Sequence, residues 1–309
     1  MTDNHLFISH EGEDLESMSK IKLLIIGANG MLGGSLHRYF SSDAGYQVMG
    51  SVRSLQAADR IKIMGFNNIY CQVEASKPPS IITALSSFKP DYVLNCVGII
   101  KQLSVSDSPV SSIKINSLFP HELAEICSEY KAKLIHFSTD CVFSGETGYY
   151  QESDIPDARD IYGKSKLLGE VDYGGHLTLR TSIIGHEIDS PISLIGWFLS
   201  QKNSINGYDK AIFSGFPTVY VAEFLDRYVF NGENISGLYH FSSDPISKHE
   251  LLKIVNEKYS LGINIQRNIE FKIDRSLNSN LLRKELSFTP PSWNELVDKM
   301  HREFLEYFV

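Results

Sequence analysis

In "IKLLII" (residues 21–26) apolar positions run unbroken from Leu23 to Ile26, give way to three spaced glycines, and then recur at helical intervals as Leu32, Leu36 and Phe40. That order predicts strand, tight turn, helix. Further apolar runs appear at "YQVMGSV", "NNIYCQV", "DYVLNCVGII", "AKLIHFS" and "HLTLRTSII", and the segments between them are long enough for crossover helices. Continuous apolarity without alternation marks strands buried on both faces. Repeated units of this kind predict an α/β fold, a Rossmann-type doubly wound parallel sheet with ligands at the carboxyl ends of its strands. After about residue 185 the pattern loosens. "ISLIGWFLSQ", "VAEFLDRYVF" and "HELLKIVNEKY" read as helices and "GLYHFSS" as a strand. The expected organisation is a mobile extension over 1–20, a sheet domain over 21–184 to which parts of 205–240 return, and a smaller substrate-covering lobe over most of 185–309.

With 309 residues, 42% of them hydrophobic, the chain can bury one large core and a satellite. The balance of 29 basic against 37 acidic residues gives a net charge of −8. Such a surface repels phosphodiester backbones and anionic bilayers, so neither nucleic acid nor membrane is expected as a partner. Cys71, Cys96, Cys127 and Cys141 show neither paired metal spacing nor the density of a disulfide scaffold, which suits a reducing, cytoplasmic compartment. The first twenty residues hold only the short apolar run Leu6 to Ile8, too little for a signal-peptide core. His121, His136, His176, His240 and His249 are scattered without metal spacing and read as structural or exposed; no metal site is expected.

The glycine turn "GANGMLGG" spaces Gly27, Gly30 and Gly33 as G-x-x-G-x-x-G, one residue wider in its first interval than the common dinucleotide fingerprint. Gly27 allows the turn, Gly30 lets a pyrophosphate approach the backbone, and Gly33 permits close helix–strand packing. The helix N-terminus then offers free N–H groups and partial positive charge. Asn29, Met31 and Leu32 complete the expected cofactor-binding segment. Nicotinamide cofactors are sorted at the end of the second strand, where an acid binds the ribose hydroxyls and an arginine tolerates a 2'-phosphate. Here "VMGSVRS" supplies Ser51, Arg53 and Ser54 and no acid, which favours NADPH over the alternative, NADH. An exposed surface arginine is the competing reading of Arg53.

In "IYGKSK", Tyr162 precedes Lys166 by four residues, so on a helix both share a face. An adjacent ammonium would stabilise the phenolate and lower the tyrosine pKa, making Tyr162 a usable proton donor to a carbonyl. The spacing alone arises by chance in many helices. Thr139, in "HFSTDCVFSG", adds to it, because it ends the predicted fifth strand at the same sheet edge, where it can bond a substrate oxygen. Asp140 is expected to hold that turn by capping.

Taken in order, "GANGMLGG", "NCVGII", "IKINSLFP", "STDCVFSG", "YGKSK", "LRTSIIG", "GFPTVYVAEFL" and "GLYHFSS" cover nearly all of residues 21–245. The chain resembles the extended short-chain dehydrogenase/reductases, and among them the dTDP-4-dehydrorhamnose reductase group of sugar-nucleotide reductases. The resemblance implies an NADPH-dependent reductase of a nucleotide-activated 4-keto-6-deoxyhexose, serving deoxysugar and surface-polysaccharide synthesis, with a homodimer allowed. It makes Tyr162 the general acid, gives Lys166 the tuning of that acid and the nicotinamide ribose, and has Thr139 polarise the C4 carbonyl. It also implies that Cys96, Val97 and Gly98 line the cofactor and that Asn116 lies on the helix behind the site, in a structural or a direct role.

Two positions depart from the family's usual pattern. Cys141 stands where it usually has tyrosine, and Ile183 where it tends to have tryptophan; with Thr139, Asp140 and His186 they are the expected substrate contacts. Related 4,6-dehydratases place a glutamate after the Thr-Asp pair, a carboxylate that Cys141 does not supply, which disfavours dehydration. GDP-fucose synthases use a cysteine and a histidine to epimerise before reducing, and Cys141 and His186 fall near those places, so a bifunctional epimerase-reductase is an alternative. A non-catalytic, cofactor-binding regulatory subunit, like that of methionine adenosyltransferase, is the other; the presence of Thr139, Tyr162 and Lys166 together argues against it.

Overall fold

The computed structural model describes residues 20–100, 108–188 and 192–309; the extension expected over 1–20 therefore lies outside the described residues except for Lys20. The strands are β1 (Ile21–Ile26), β2 (Tyr46–Ser51), β3 (Ile69–Tyr70), β4 (Tyr92–Asn95), β5 (Lys133–Thr139), β6 (Leu177–Thr181), β7 (Ile183–Ile184), β8 (Ser204–Phe213), β9 (Phe216–Pro217), β10 (Gly237–His240), β11 (Ile246–Ser247) and β12 (Asn264–Asp274). Seven of them form one sheet in the order β10-β6-β5-β4-β1-β2-β3, every pairing parallel. The chain leaves β1 toward β2 and β3, then crosses back to β4 and continues the other way. The topological switch point, and with it the ligand crevice of such a sheet, therefore lies at the carboxyl ends of β1 and β4.

The unbroken apolar run of β1 follows from this position. Leu23 and Ile25 belong to one core with Leu32, Leu36 and Phe40 of the helix Met31–Ser41, whereas Leu24 and Ile26 belong to a second with Ile81 and Leu85 of the helix Pro78–Phe88 and Phe119 and Leu123 of the helix Phe119–Glu129. Alternate side chains are buried on opposite faces, so no polar residue is tolerated on either.

Beyond β6 the chain divides among the large sheet and two smaller ones. Of 205–240, the helix Thr218–Phe224 does pack on the helix Met31–Ser41 and β10 does join β6, but β8 lies in a second sheet, β11-β8-β12. The pattern gives little sign of β8 because Asn206-Gly207 reads as a turn. Gly207 is instead a packing requirement, since a Cβ there would fall 2.6 Å from the His249 ring and 2.6 Å from Ile265. β12 is largely exposed and breaks register against β8 between Asn268 and Lys272. Among the described residues no helix is long and apolar enough to cross a membrane.

The final helix, Trp293–Tyr307, starts in a reciprocal capping box between Ser292 and Glu295 and joins the two regions. Leu296 lies in the core of the large sheet, Val297 and Met300 in that of the smaller one. Its Glu303 accepts from Arg38 at 2.7 Å and from Ser35 at 2.7 Å, both on the helix that follows the glycine turn. Arg38 and Glu303 are each about 95% buried, at 4% and 5% side-chain exposure. Removing one partner strands the other charge, so Glu303→Ala is expected to cost about 3–5 kcal/mol in urea unfolding, whereas Arg38→Met with Glu303→Leu together should recover most of it.

Candidate active site

The turn after β1 is built by main-chain contacts. Gly27 adopts φ +89°, and the N–H groups of Gly27 and Ala28 donate to the Ser51 carbonyl at 3.1 and 3.0 Å, tying the turn to the end of β2. A Cβ at Gly33 would lie 2.2 Å from the Gly27 carbonyl oxygen, and one at Gly27 would lie 2.9 Å from Val97. Gly30 is different: it caps the helix Met31–Ser41, is exposed, and a Cβ there would meet nothing closer than 3.5 Å. Asn29 and Met31 are half-buried beside it, while Leu32 packs into the core.

At the end of β2 the three candidate residues separate. Ser51 is 1% exposed, and its hydroxyl has no hydrogen-bond partner among the described residues. Arg53 is exposed, and Ser54 caps the next helix by accepting from Ala57 N at 3.2 Å. An orphaned buried hydroxyl, a glycine cradle, a helix N-terminus without an acid in its first turn and an exposed guanidinium fit a phosphorylated dinucleotide.

Cys96, Val97 and Gly98 follow β4 next to this turn, with Cys96 N donating to the Ile26 carbonyl at 3.0 Å. Asn116 stands behind them, in a π-helical turn over Ile113–Leu118. Its amide oxygen accepts from Ile99 N at 2.8 Å, and its nitrogen donates to the Ile99 carbonyl at 3.0 Å and to Ser165 Oγ at 3.1 Å. It clamps the loop after β4 to the helix Ile161–Leu167, a structural role.

Thr139 ends β5. Its hydroxyl accepts from Cys141 N at 3.1 Å, donates to Asp140 Oδ1 at 3.1 Å, and is hydrogen-bonded to the Tyr162 phenol. The cap of the following short turn is thus Thr139 and not Asp140, as the sequence had suggested. Asp140 instead braces the site by accepting from Ser182 Oγ at 2.9 Å. The helix carrying Tyr162 is capped by Asp160, which accepts from Gly163 N at 2.8 Å. Gly163 is required by proximity: a Cβ there would lie 2.2 Å from the Cys141 carbonyl oxygen. Cys141 is half-buried beside it.

Burial pushes the Tyr162 phenol above its usual pKa, with the nearby Cys141 adding to the rise and the Thr139 hydrogen bond opposing it. The lowering expected from an adjacent ammonium is therefore reversed. Burial sets that direction, while the Lys166 Nζ donates to the Phe137 carbonyl at 2.6 Å and stands 3.4 Å from His136 Nε2, along β5. Burial in turn lowers Lys166 to about 8.

His186 and Cys141 are not brought together. His186 Nε2 is 2.9 Å from the Tyr259 hydroxyl, its ring packs against Phe304 and Phe308, and burial followed by the Arg38 charge pushes it down to about 4. It is a packing residue under the last helix, whereas Cys141 lies against Gly163 and Tyr162. Ile183 is half-buried in β7, opposite Phe216. Of two further residues at the site, Asn95 was not singled out in the sequence and His136 was read there only as structural or exposed. Asn95 is 1% exposed and ends β4, and His136 is 0% exposed within β5, where "LIHFST" places a lone polar side chain inside a buried apolar run.

Residues 21–305 match the family model described as RmlD substrate binding domain. The probable low-salt glycan biosynthesis reductase Agl14 of Haloferax volcanii is 33% identical over 147 residues, 47% of this chain and 46% of that protein, so the match spans about half of the relative's length. Methionine adenosyltransferase 2 subunit beta of Xenopus laevis is 24% identical over 298 residues, 90% of this chain and 80% of that protein. In three dimensions the chain is similar to the dTDP-4-dehydrorhamnose reductase of Bacillus anthracis solved in complex with NADP, with a TM-score of 0.75 at 20% identity, over 92% of this chain and 99% of that one.

Proposed function

The chain belongs to the family of the RmlD substrate binding domain, and from that premise we propose that it is an oxidoreductase that uses NADPH to reduce the C4 keto group of a nucleotide-activated 4-keto-6-deoxyhexose. The observation that carries this reading is the convergence of groups along one sheet edge. Gly27 abuts Val97, the Lys166 charge acts on Cys96, and Tyr162 hydrogen-bonds Thr139, so the glycine turn and the hydroxyl pair are linked by neighbouring strand ends.

When bound, the nicotinamide supplies the hydride. The chain's own groups supply the rest. A phenol whose pKa is raised by burial keeps its proton at neutral pH, so Tyr162 has one to give to the carbonyl oxygen. Thr139, held by Cys141 N and Asp140, places its hydroxyl beside that phenol, where the two stabilise the charge that develops on oxygen. Ser51 and Arg53 are the candidates for the 2'-phosphate, and Cys141 and Ile183 for the sugar. His186, engaged with Tyr259, is no partner for Cys141, so reduction is proposed without epimerisation. A deoxysugar for a surface glycan is the proposed product.

The test is a panel of dTDP-, UDP- and GDP-linked 4-keto-6-deoxy sugars followed by loss of nicotinamide absorbance, with NADPH and NADH in parallel. Oxidation of NADPH with one nucleotide series supports the proposal. Tight NADPH binding with no oxidation by any of them transfers the assignment to a regulatory subunit, the reading to which the similarity with methionine adenosyltransferase 2 subunit beta belongs.

A further inference from the structure

We propose that Asp140, braced by Ser182, is a positioning residue that keeps the single hydroxyl proton of Thr139 and so makes Thr139 the acceptor of the Tyr162 phenol in the resting site.

The protons around one oxygen carry this. Thr139 Oγ1 has one hydrogen and two lone pairs to share among three neighbours. The Cys141 N–H can only donate, and at 3.1 Å it takes one lone pair. A carboxylate only accepts, so the 3.1 Å contact between Thr139 Oγ1 and Asp140 Oδ1 takes the hydrogen. One lone pair is left for Tyr162, whose phenol bonds the same hydroxyl, and the phenol must therefore donate. Turned to Tyr162 instead, the Thr139 hydrogen would leave two oxygens facing each other lone pair to lone pair across the Asp140 contact. Thr139 and Asp140 are 6% and 9% exposed, so bulk water does little to relieve such a mismatch. Asp140 is also held from behind. Ser182 Oγ, between β6 and β7, donates to its Oδ2 at 2.9 Å and keeps Oδ1 turned to Thr139.

The Thr139 hydrogen has a second claimant. If Tyr162 gives up its own proton, the phenolate becomes an acceptor, and Thr139 can serve it only by leaving Asp140. Hydrogen bonds to charged oxygens are about twice as strong as those between neutral groups, so carboxylate and phenolate compete on similar terms. The surroundings of the phenol favour its protonated form. Burial comes first, Cys141 and Asp140 from the turn after β5 and Asp160 from the cap of the phenol's own helix add to it, and the Thr139 hydrogen bond opposes them. Lys166, one turn further along that helix, is engaged by the Phe137 carbonyl at 2.6 Å. Asp140 thus keeps the phenol protonated in two ways, by its charge and by withholding the Thr139 hydrogen. Its use in catalysis rests on the function proposed above: there the phenol turns to the sugar carbonyl, and Thr139 becomes the second donor once Asp140 releases its hydrogen.

The test places a difluorotyrosine at position 162 of the full-length protein, without cofactor or substrate, so that this phenol titrates where the chain is folded and apart from the other tyrosines. Asp140→Asn is expected to lower its midpoint by about one pH unit, because an amide oxygen carries no charge and holds the Thr139 hydrogen less firmly than a carboxylate. In a Thr139→Val background there is no hydrogen to withhold, and the same change should shift the midpoint by less than about half as much. Equal shifts in the two backgrounds mean that Asp140 acts by charge alone and overturn the proposal, as does a midpoint that Asp140→Asn leaves in place. Neutron diffraction from the deuterated protein with its native Tyr162 reads the resting site directly. A Thr139 deuteron on the Asp140 side is expected, and one directed at Tyr162 overturns the proposal even where a variant does not fold. No step of reduction enters either measurement, so their failure is distinct from failure of the reductase assay.

Discussion

Tyr162→Phe is expected to lower the turnover of NADPH-dependent reduction by about a hundred- to ten-thousandfold, the range in which general acids contribute. Only one oxygen is removed. The ring remains half-buried on its helix, and Thr139 keeps its contacts to Cys141 N and Asp140, so the stability change should stay within about 1.5 kcal/mol, the net worth of one hydrogen bond. In the proposed reaction the proton is needed as the carbonyl is reduced and not to hold the sugar. kcat and kcat/KM should therefore fall together, with NADPH affinity by fluorescence titration unchanged within about twofold. A variant that retains more than about a tenth of wild-type turnover would show that the phenol is not the acid.

Acid should unfold the protein before the carboxylates titrate fully. His37, His186 and His240 are each lowered from 6.5 to about 4, in every case by burial first, opposed at His37 by its hydrogen bond to the Asn68 carbonyl and reinforced by Arg38 at His186 and by Arg180 at His240. The unfolded chain takes up these protons below pH 6.5, and the folded one only near 4. Stability is thus fully present above 6.5 and is lost as pH falls through that window. Each histidine can cost up to about 3 kcal/mol, so three together rival the roughly 5–15 kcal/mol that holds a domain folded. The urea midpoint should drop steeply from pH 6.5 to 4.5, and His240→Gln should flatten the slope. A midpoint constant across that range would mean that these rings do not enter the folded state uncharged.

The sheet was legible because its strands are covered on both faces. Leu23 to Ile26 have no solvent side, and the apolar run records that directly. The places of the glycine turn after β1 and of Thr139 at the end of β5 were legible as well, since local spacing in the chain sets them at strand ends. What escaped depends on contacts between distant segments. β8 and β12 pair with one another over a largely exposed surface, so neither carries the continuous apolar signature, and the Gly207 that looks like a turn answers to His249 and Ile265. His186 follows the sixth strand as a catalytic histidine would, yet Tyr259, Phe304 and Phe308, more than seventy residues further on, decide where its ring goes. The direction of Lys166 escaped for the same reason. A four-residue interval sets a shared helix face, but the Phe137 carbonyl and His136 determine where the ammonium or amine end comes to rest.

Gly163 and Gly169 bring the Tyr162 segment against carbonyl oxygens on two sides, since a Cβ at the first would lie 2.2 Å from Cys141 O and at the second 1.9 Å from Asn116 O. The Tyr162 phenol is thereby located by backbone docked on backbone, with no dependence on which side chains stand around it. Under the proposed function, Cys141 and Ile183 can drift to larger or more polar types while the proposed acid keeps its coordinates. Diversification toward new sugars would then be a matter of exchanging wall panels around a fixed post.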